Sequence, residues 1–298
     1  MKRILSMLGS PAVAAGVIVV AAMATPAQAA VLQVSGSAPY LCAAVYNNDT
    51  YNGSVVYAHS CSESPNQQWT FISGQITGIG SANLIPRCLD AGSSNPAPGT
   101  VVVMNQCNGS LSQQWLVDGY VVSAPQSQCL DSAGPSFEGG TELIINNCNG
   151  SASQNWIVRG LALQANTGAL SMCANVKGNN TASGTPVVDY YCILTFNELW
   201  DYQNGLLYGL GTDGTTTNCL TGGSVAGSLV TLQTCTPNNP NQMWWFDGND
   251  SEANPPYPWT LVRGWYSGLC LNSSSGSPNT QLIVSNCTPT ANQSWAVE

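Results

Sequence analysis

Twelve cysteines, one histidine and fifteen carboxylates are the side chains of this 298-residue chain that could carry chemistry. Zinc needs clustered thiolate or imidazole ligands; no Cys-x-x-Cys occurs and His59 is the only histidine, so no metal site is expected. His59 could join a Ser-His-Asp triad, but no Gly-x-Ser-x-Gly elbow accompanies it. Glycoside hydrolysis needs two carboxyls held at a fixed separation. Glu138 and Glu142 straddle Gly139-Gly140 in an expected turn, which suits solvated loop residues better. The stretch Asp247-Gly248-Asn249-Asp250-Ser251-Glu252 offers oxygen ligands for calcium without EF-hand spacing, and with Pro255, Pro256 and Pro258 it reads as a surface insert. Gly209-Leu210-Gly211-Thr212-Asp213-Gly214 spells a dinucleotide fingerprint, but Thr215-Thr216-Thr217-Asn218-Cys219 follows where a helix should open. These residues point to no catalytic site and no cofactor.

The cysteines make sense once the chain is read as exported. Lys2 and Arg3 precede the apolar run Ala12 to Ala24, and Ala27-Gln28-Ala29 follows, so residues 1–29 read as a secretory signal peptide. That run is too short to span a bilayer, and no later segment offers the roughly 20 apolar residues a span needs. A secreted, extracellular protein is expected, and in an oxidising compartment twelve cysteines read as disulfides. Loss of Lys2 and Arg3 takes the formal charge from −9 to −11. Only Arg87, Arg159, Lys177 and Arg263 remain as cations, scattered along the chain. Nucleic acid and anionic lipid surfaces are therefore excluded as partners, because both demand clustered Lys or Arg. The remaining 269 or so residues suit two domains.

An internal repeat positions all of these residues. Gln-x-Trp recurs as Gln67 with Trp69, Gln113 with Trp115, Gln154 with Trp156, Gln242 with Trp244 and Gln293 with Trp295, and Glu198 with Trp200 is a degenerate copy. Successive tryptophans stand 46, 41, 44, 44 and 51 residues apart. Four cysteine pairs are each 19 apart: Cys42 and Cys61, Cys88 and Cys107, Cys129 and Cys148, and Cys173 and Cys192. Cys219 and Cys235 are 16 apart, and Cys270 and Cys287 are 17 apart. The intervals between pairs vary, so the constant spacing lies inside the repeat, and six intra-repeat bridges are predicted. Each would remove about 3 kcal/mol of unfolded-chain entropy.

Five residues before the second cysteine stand Val56, Val102, Leu143, Val187, Val230 and Leu282; three before it stand Ala58, Met104, Ile145, Asp189, Leu232 and Val284. This period of two marks a half-buried strand, with Asp189 as its one polar exception. A second alternation starts at each tryptophan: Trp69-x-Phe71, Trp115-x-Val117, Trp156-x-Val158, Trp200-x-Tyr202, Trp244-x-Phe246 and Trp295-x-Val297. Gly, Pro, Asn and Ser clusters separate the strands and no 3.6-residue period is sustained, so the fold is expected to be all-β. A β-propeller shares the repeat length, but the cysteine pair in every repeat argues against it.

The set Cys-Leu-Asp, Gly-Thr with an apolar strand, Cys, and Asn-Gln-x-Trp resembles the ricin B-chain lectin family, also known as carbohydrate-binding module family 13. The resemblance spans the whole mature chain. It implies two tandem β-trefoils of three repeats each, about residues 30–158 and 159–298, with the repeat tryptophans in the shared cores. It also implies shallow sugar sites, one per repeat, built from a carboxylate in Cys-x-Asp, an aromatic two residues before the second cysteine, and the Asn and Gln of Asn-Gln-x-Trp. A pyranose offers hydroxyls to the polar groups and a C–H face to the ring, and several weak sites together gain strength.

Carried over, the carboxylate position holds Ala44, Asp90, Asp131, Asn175, Thr221 and Asn272, and the aromatic position holds His59, Asn105, Asn146, Tyr190, Gln233 and Ser285. The asparagine survives as Asn66, Asn197, Asn241 and Asn292 but is Ser112 and Ser153 in the repeats that keep Asp. The resemblance thus names the second repeat (Asp90, Asn105, Gln113), the third (Asp131, Asn146, Gln154) and the fourth (Asn175, Tyr190, Asn197) as candidate sites. A non-catalytic protein that binds polysaccharide or glycan is the expected function. The alternative is a trefoil scaffold whose loops bind another protein, as an inhibitor or adhesion factor, with decayed sugar sites.

Overall fold

The computed structural model describes residues 30–35, 40–62, 64–72, 74–78, 86–117, 121–123, 127–133, 139–167, 172–209, 218–247, 260–288 and 290–297. The expected signal peptide, Glu138, residues 210–214 of the glycine fingerprint with residues 215–217 after it, and residues 248–259 of the acidic insert lie outside them.

Each repeat contributes four strands, as its two alternations and their return segments require. In chain order these are Ala30–Val34, Leu41–Val45, Ser54–Ser60 and Gln68–Ile72 in the first repeat. The second has Gln75–Gly78, Arg87–Asp90, Thr100–Val101 continued by Val103–Gln106, and Trp115–Val117. The third has Val121–Ser123, Gln128–Ser132, Thr141–Asn147 and the start of Trp156–Ala165. The fourth takes the rest of that long strand and adds Met172–Val176, Thr185–Tyr191 and Leu199–Gln203. Leu206–Gly209, Asn218–Thr221, Thr231–Thr234 and Trp244–Asp247 form the fifth. Thr260–Gly264, Leu269–Asn272, Ile283–Asn286 and Ser294–Val297 form the sixth. The described residues contain no α-helix, only three-residue 3-10 turns.

The outer strands of each repeat build a barrel and the inner two form a hairpin. In the first barrel Ala30 pairs with Trp69, Thr70 with Thr77, Val117 with Val121, and Val31 with Arg159. In the second, Leu161 pairs with Trp200, Trp200 with Gly209, Trp244 with Gly264, Thr260 with Trp295, and Leu163 with Val297. The fold is therefore two tandem β-trefoils.

Six disulfides each join the two cysteines of one repeat, as the spacing predicts. Cys42 is bonded to Cys61, Cys88 to Cys107, Cys129 to Cys148, Cys173 to Cys192, Cys219 to Cys235 and Cys270 to Cys287. The two ends of each bridge differ in a way the spacing did not show. The first cysteine lies in the second strand of its repeat, and Cys42, Cys88, Cys129, Cys173, Cys219 and Cys270 are fully buried. The second follows the last residue of the hairpin, where the chain turns out towards the Gln-x-Trp segment. Cys61 and Cys148 are accordingly exposed, and Cys107, Cys192, Cys235 and Cys287 are half-buried. The bridges thus run from core to surface as structural ties, and none of these twelve sulfurs serves as a ligand.

The three hairpins of each trefoil close on one another through the apolar positions read from sequence. In the second trefoil Val187 N–H donates to Val230 O (3.1 Å), Val230 to Leu282 (2.9 Å) and Leu282 back to Val187 (2.9 Å). The corner before each third strand makes the neighbouring contact. Gly53, Gly99, Gly140, Gly184 and Gly227 stand there at φ between +87° and +95°, with Asn279 at +66° in the sixth repeat. This left-handed conformation is why glycine recurs before Thr or Ser. Their N–H groups reach the carbonyls of Met104, Ile145, Ala58, Leu232, Val284 and, for Asn279, Asp189, at 2.7–2.9 Å.

The indoles of Trp69, Trp115, Trp156, Trp200, Trp244 and Trp295 are at most 3% exposed. A buried indole N–H needs a partner. Each finds the carbonyl of the residue after the first cysteine: Ala43, Leu89, Leu130, Ala174, Leu220 and Leu271, at 2.9–3.1 Å.

The strand Trp156–Ala165 belongs to both barrels, and its register shifts between Val158 and Leu161. Gly160, at φ +75°, makes the bulge; its N–H donates to Asp201 Oδ1 (3.0 Å), while Asp201 Oδ2 meets Arg159 at 3.4 Å. The expected divide at residues 158 and 159 falls inside this strand. A pairing of Val297 with Phe71 adds a second seam between the barrels.

Asp189, the polar exception, points into the second hairpin ring with no exposure. The Ser273 hydroxyl donates to Oδ2 at 2.7 Å, and Oδ1 has no partner among the described residues. Burial pushes the carboxyl from its ordinary 3.8 up to about 6, against the weaker pull of Ser273. The folded state therefore holds this proton more tightly than the unfolded chain, so the ionisation penalty of Asp189 is absent below pH about 4 and grows progressively as pH rises to about 6. Full ionisation costs about 3 kcal/mol. Asp189→Val should raise stability at pH 7 by about 2 kcal/mol, with the gain shrinking towards zero or below at pH 4, as read by chemical denaturation at both pH values. A gain independent of pH would contradict this origin.

Candidate functional site

The carboxylate positions sit at the ends of the second strands, where the hairpin leaves the barrel. Beside them the turn of each Gln-x-Trp, a 3-10 turn in every repeat but the fifth, comes back against the second cysteine. In the second repeat this turn is Leu111–Gln113 and in the third Ala152–Gln154. Gln113 and Gln154 are fully buried. Gln113 Oε1 accepts from Asn108 N–H (2.9 Å), and its Nε2 donates to Gln106 O (3.0 Å) and Asp90 Oδ2 (3.1 Å). Gln154 repeats this with Asn149 N–H (2.8 Å), Asn147 O (2.8 Å) and Asp131 Oδ2 (3.0 Å). Each glutamine thus grips the backbone on both sides of its second cysteine, Cys107 or Cys148, and hands its remaining proton to the aspartate.

A second amide arrives from the hairpin. Asn105 Nδ2 donates to Asp90 Oδ2 at 3.0 Å and Asn146 Nδ2 to Asp131 Oδ2 at 3.1 Å. The structure therefore brings Asp90, Asn105 and Gln113 together, and likewise Asp131, Asn146 and Gln154, in the same arrangement. Both carboxylates are within 5% of complete burial. Asp90 Oδ1 accepts from Gly92 N–H at 2.8 Å. Burial pushes the Asp90 carboxyl up, but the hydrogen bonds from Asn105, Gly92, Gln113 and Ser112 outweigh it and hold the group below its ordinary value. Asp131 Oδ1 is buried with no donor among the described residues.

The fourth repeat brings together two of its three named residues in a different way. Asn175 Nδ2 donates to Glu198 Oε1 (3.1 Å), and Asn175 Oδ1 accepts from Asn197 Nδ2 (3.0 Å). Glu198, fully buried, takes the N–H groups of Ile193 and Leu194 on Oε2 at 2.9 and 2.7 Å, just beyond Cys192. Carboxylate and amide have exchanged places relative to Asp90 and Gln113, and the amide now stands nearer the surface with its groups occupied. Tyr190 is half-buried opposite Cys173 in the hairpin register, and its ring meets Tyr191 edge-on at 5.6 Å.

Elsewhere the position carries no acid. Ala44 is buried in the first repeat, beside an aromatic run in which Tyr57 meets both Tyr46 and the exposed His59 at 5.6 Å. Burial and the neighbouring Tyr46 push the Tyr57 phenol up. In the fifth, Gln242 Nε2 donates to Thr221 Oγ1, and in the sixth Asn272 and Gln293 share Ser285 Oγ. Sequence reasoning missed Gly92, Ser112 and Tyr57; Ser112 was visible as a replacement for asparagine, but its bond to Asp90 was not. Glu142 is exposed and Asp247 pairs with Arg263 at 3.4 Å. Among the described residues no three His, Cys, Asp or Glu gather as metal ligands, and no helix is long and apolar enough to cross a membrane.

Residues 27–115, 117–244 and 163–295 match the ricin-type β-trefoil lectin domain. The chain belongs to this family, whose class of function is lectin-like carbohydrate binding. Similar solved structures include the agglutinin of Abrus precatorius, 19% identical over 90% of this chain and 95% of that one, with a TM-score of 0.36. A non-toxic homologue of type II RIPs from Momordica charantia, in complex with α-methyl-D-galactoside, is 20% identical over 86% and 92%, at 0.36. The C-half of the earthworm R-type lectin, in complex with GalNAc, is 17% identical over 47% and 98%, also at 0.36. No curated protein matches the sequence.

Gln113→Ala should cost about 2–4 kcal/mol, because it orphans Asn108 N–H, Gln106 O and one bond to Asp90 in a buried site. It should also raise the Asp90 pKa. Chemical denaturation and a carboxyl-carbon NMR titration measure the two effects; an unmoved Asp90 titration would refute the coupling.

Proposed function

We propose that the protein is a secreted, extracellular, non-catalytic lectin-like protein that binds polysaccharide or glycan through the second and third repeats. Its two trefoils divide at residues 158 and 159. The observation that carries this reading is the twice-repeated carboxylate held by one hairpin amide and one glutamine: Asp90 with Asn105 and Gln113, and Asp131 with Asn146 and Gln154. A carboxylate fixed in this way is an oriented acceptor for vicinal sugar hydroxyls; at Asp90, which already takes four donors, a sugar hydroxyl must replace one of them. Neither site has a stacking ring at the position of Asn105 or Asn146, so each should be weak alone and gain from the pair acting together. The fourth repeat adds Tyr190 as a ring, with Asn175 and Asn197 as a third, amide-based site. Export is supported by the reading of residues 1–29 and by six disulfides.

A glycan array, with pull-down on insoluble xylan, cellulose and chitin, tests this. Wild-type protein should be retained and released by free competing sugar. Asp90→Asn and Asp131→Asn should each weaken binding roughly tenfold, and the double variant more than either, since a hydrogen bond to a charged group contributes about 1.5–3 kcal/mol. Retention unaffected by the double variant would overturn the assignment of these sites. No glycan binding at all would favour a trefoil scaffold that binds another protein.

A further inference from the structure

Two tryptophans of the described chain, Trp245 and Trp265, belong to no Gln-x-Trp motif. They line a cleft of about 260 Å³ between the trefoils, with Leu116 and Val117 from the last strand of the second repeat and Phe246 from that of the fifth. Trp265 is 53% exposed and Leu116 46%. The fold shows how completely this sequence can bury an indole, so an open aromatic wall here is not a by-product of the repeat. Trp265 N–H donates to Met243 O at 2.8 Å, which fixes the turn that carries the ring. The rings of Trp245 and Trp265 stand 6.2 Å apart at 72°.

Among the described residues, the charged groups beside Trp245 are already committed. The Arg263 guanidinium lies 5.7 Å over the Trp245 ring and meets Asp247 at 3.4 Å, and its Nε donates to Gly268 O at 3.2 Å. The pair cancels its own charge, and among the described residues no amide or free carboxylate lines the cleft. Sugar hydroxyls buried here would lose hydration without replacement. A flat carbon ring loses nothing and can stack on one indole while meeting the other edge-on. A dry cavity of about 150 Å³ lined by Leu, Ile and Phe takes up benzene, so the volume here admits one or two fused rings.

We propose that the inter-trefoil cleft binds an uncharged aryl group, as a ligand site chemically distinct from the polar hairpin sites. N-phenyl-1-naphthylamine, an uncharged fluorescent probe, tests this on the full chain. Its emission should rise on binding to wild type. Trp265→Ala and Leu116→Asn should each weaken binding about tenfold with little change in melting temperature, since both side chains are half in water. Should Trp265→Ala unfold, Leu116→Asn decides alone. The double variant carrying Asp90→Asn and Asp131→Asn should bind the probe as wild type does, so this site and the sugar reading fail separately. An absent signal in wild type, unchanged affinity in the folded variants, or displacement of the probe by free galactose or xylose would overturn the proposal.

Discussion

Everything in this molecule depends on one buried clamp, used six times. The side chain of Gln67, Gln113, Gln154, Glu198, Gln242 or Gln293 enters the protein beneath the second cysteine of its repeat and takes up backbone groups that the disulfide loop leaves unpaired. Those cysteines, Cys61, Cys107, Cys148, Cys192, Cys235 and Cys287, are the outer ends of the bridges, so the clamp holds the half of each tie that water reaches. Two residues later the indole drops into the core and ties its N–H to the carbonyl beyond the first cysteine. Clamp, disulfide and tryptophan thus secure one hairpin to one barrel from three sides. A repeat of about 45 residues buries too little apolar surface to stand by itself, and these local ties let modest cores suffice.

The clamp also sets where the proposed recognition would occur. In the second, third and fifth repeats the second amide proton of the clamp reaches the end of the second strand, so Asp90, Asp131 and Thr221 are oriented by the same atom that stabilises the loop. An aspartate at that place becomes a fixed acceptor, as at Asp90 and Asp131. A threonine or asparagine is absorbed into the internal network, as at Thr221 and Asn272. Alanine leaves only packing. Site and scaffold share an atom, which is why a repeat can lose its polar site and keep its fold.

Much of this was legible in the sequence. Indole and cysteine spacing foretold the repeat, the bridges and the all-β architecture, because burial and covalent ties leave periodic marks. The glycine before Thr was visible, and its positive φ gave the reason. Two things were not legible. Glu198 looked like a worn copy of glutamine, whereas it is half of an exchange with Asn175, and an exchange shows only when the partners are known to touch. Gln113 and Gln154 were named as site residues, and their burial beneath the second cysteine was not visible, because a polar side chain gives no linear sign of facing inward. The cleft between the trefoils lay further from view, since Leu116, Trp245 and Trp265 come from three repeats and share no spacing.

The central claim is that the clamp orients a binding carboxylate in the second and third repeats alone. Side-chain amide NMR during titration with a glycan that the protein retains addresses it directly. The account predicts shifts in the Asn105, Asn146, Gln113 and Gln154 amides while Asn66, Asn241 and Gln293 stay still. Movement confined to the first, fifth and sixth repeats, with these four amides unchanged, would contradict it.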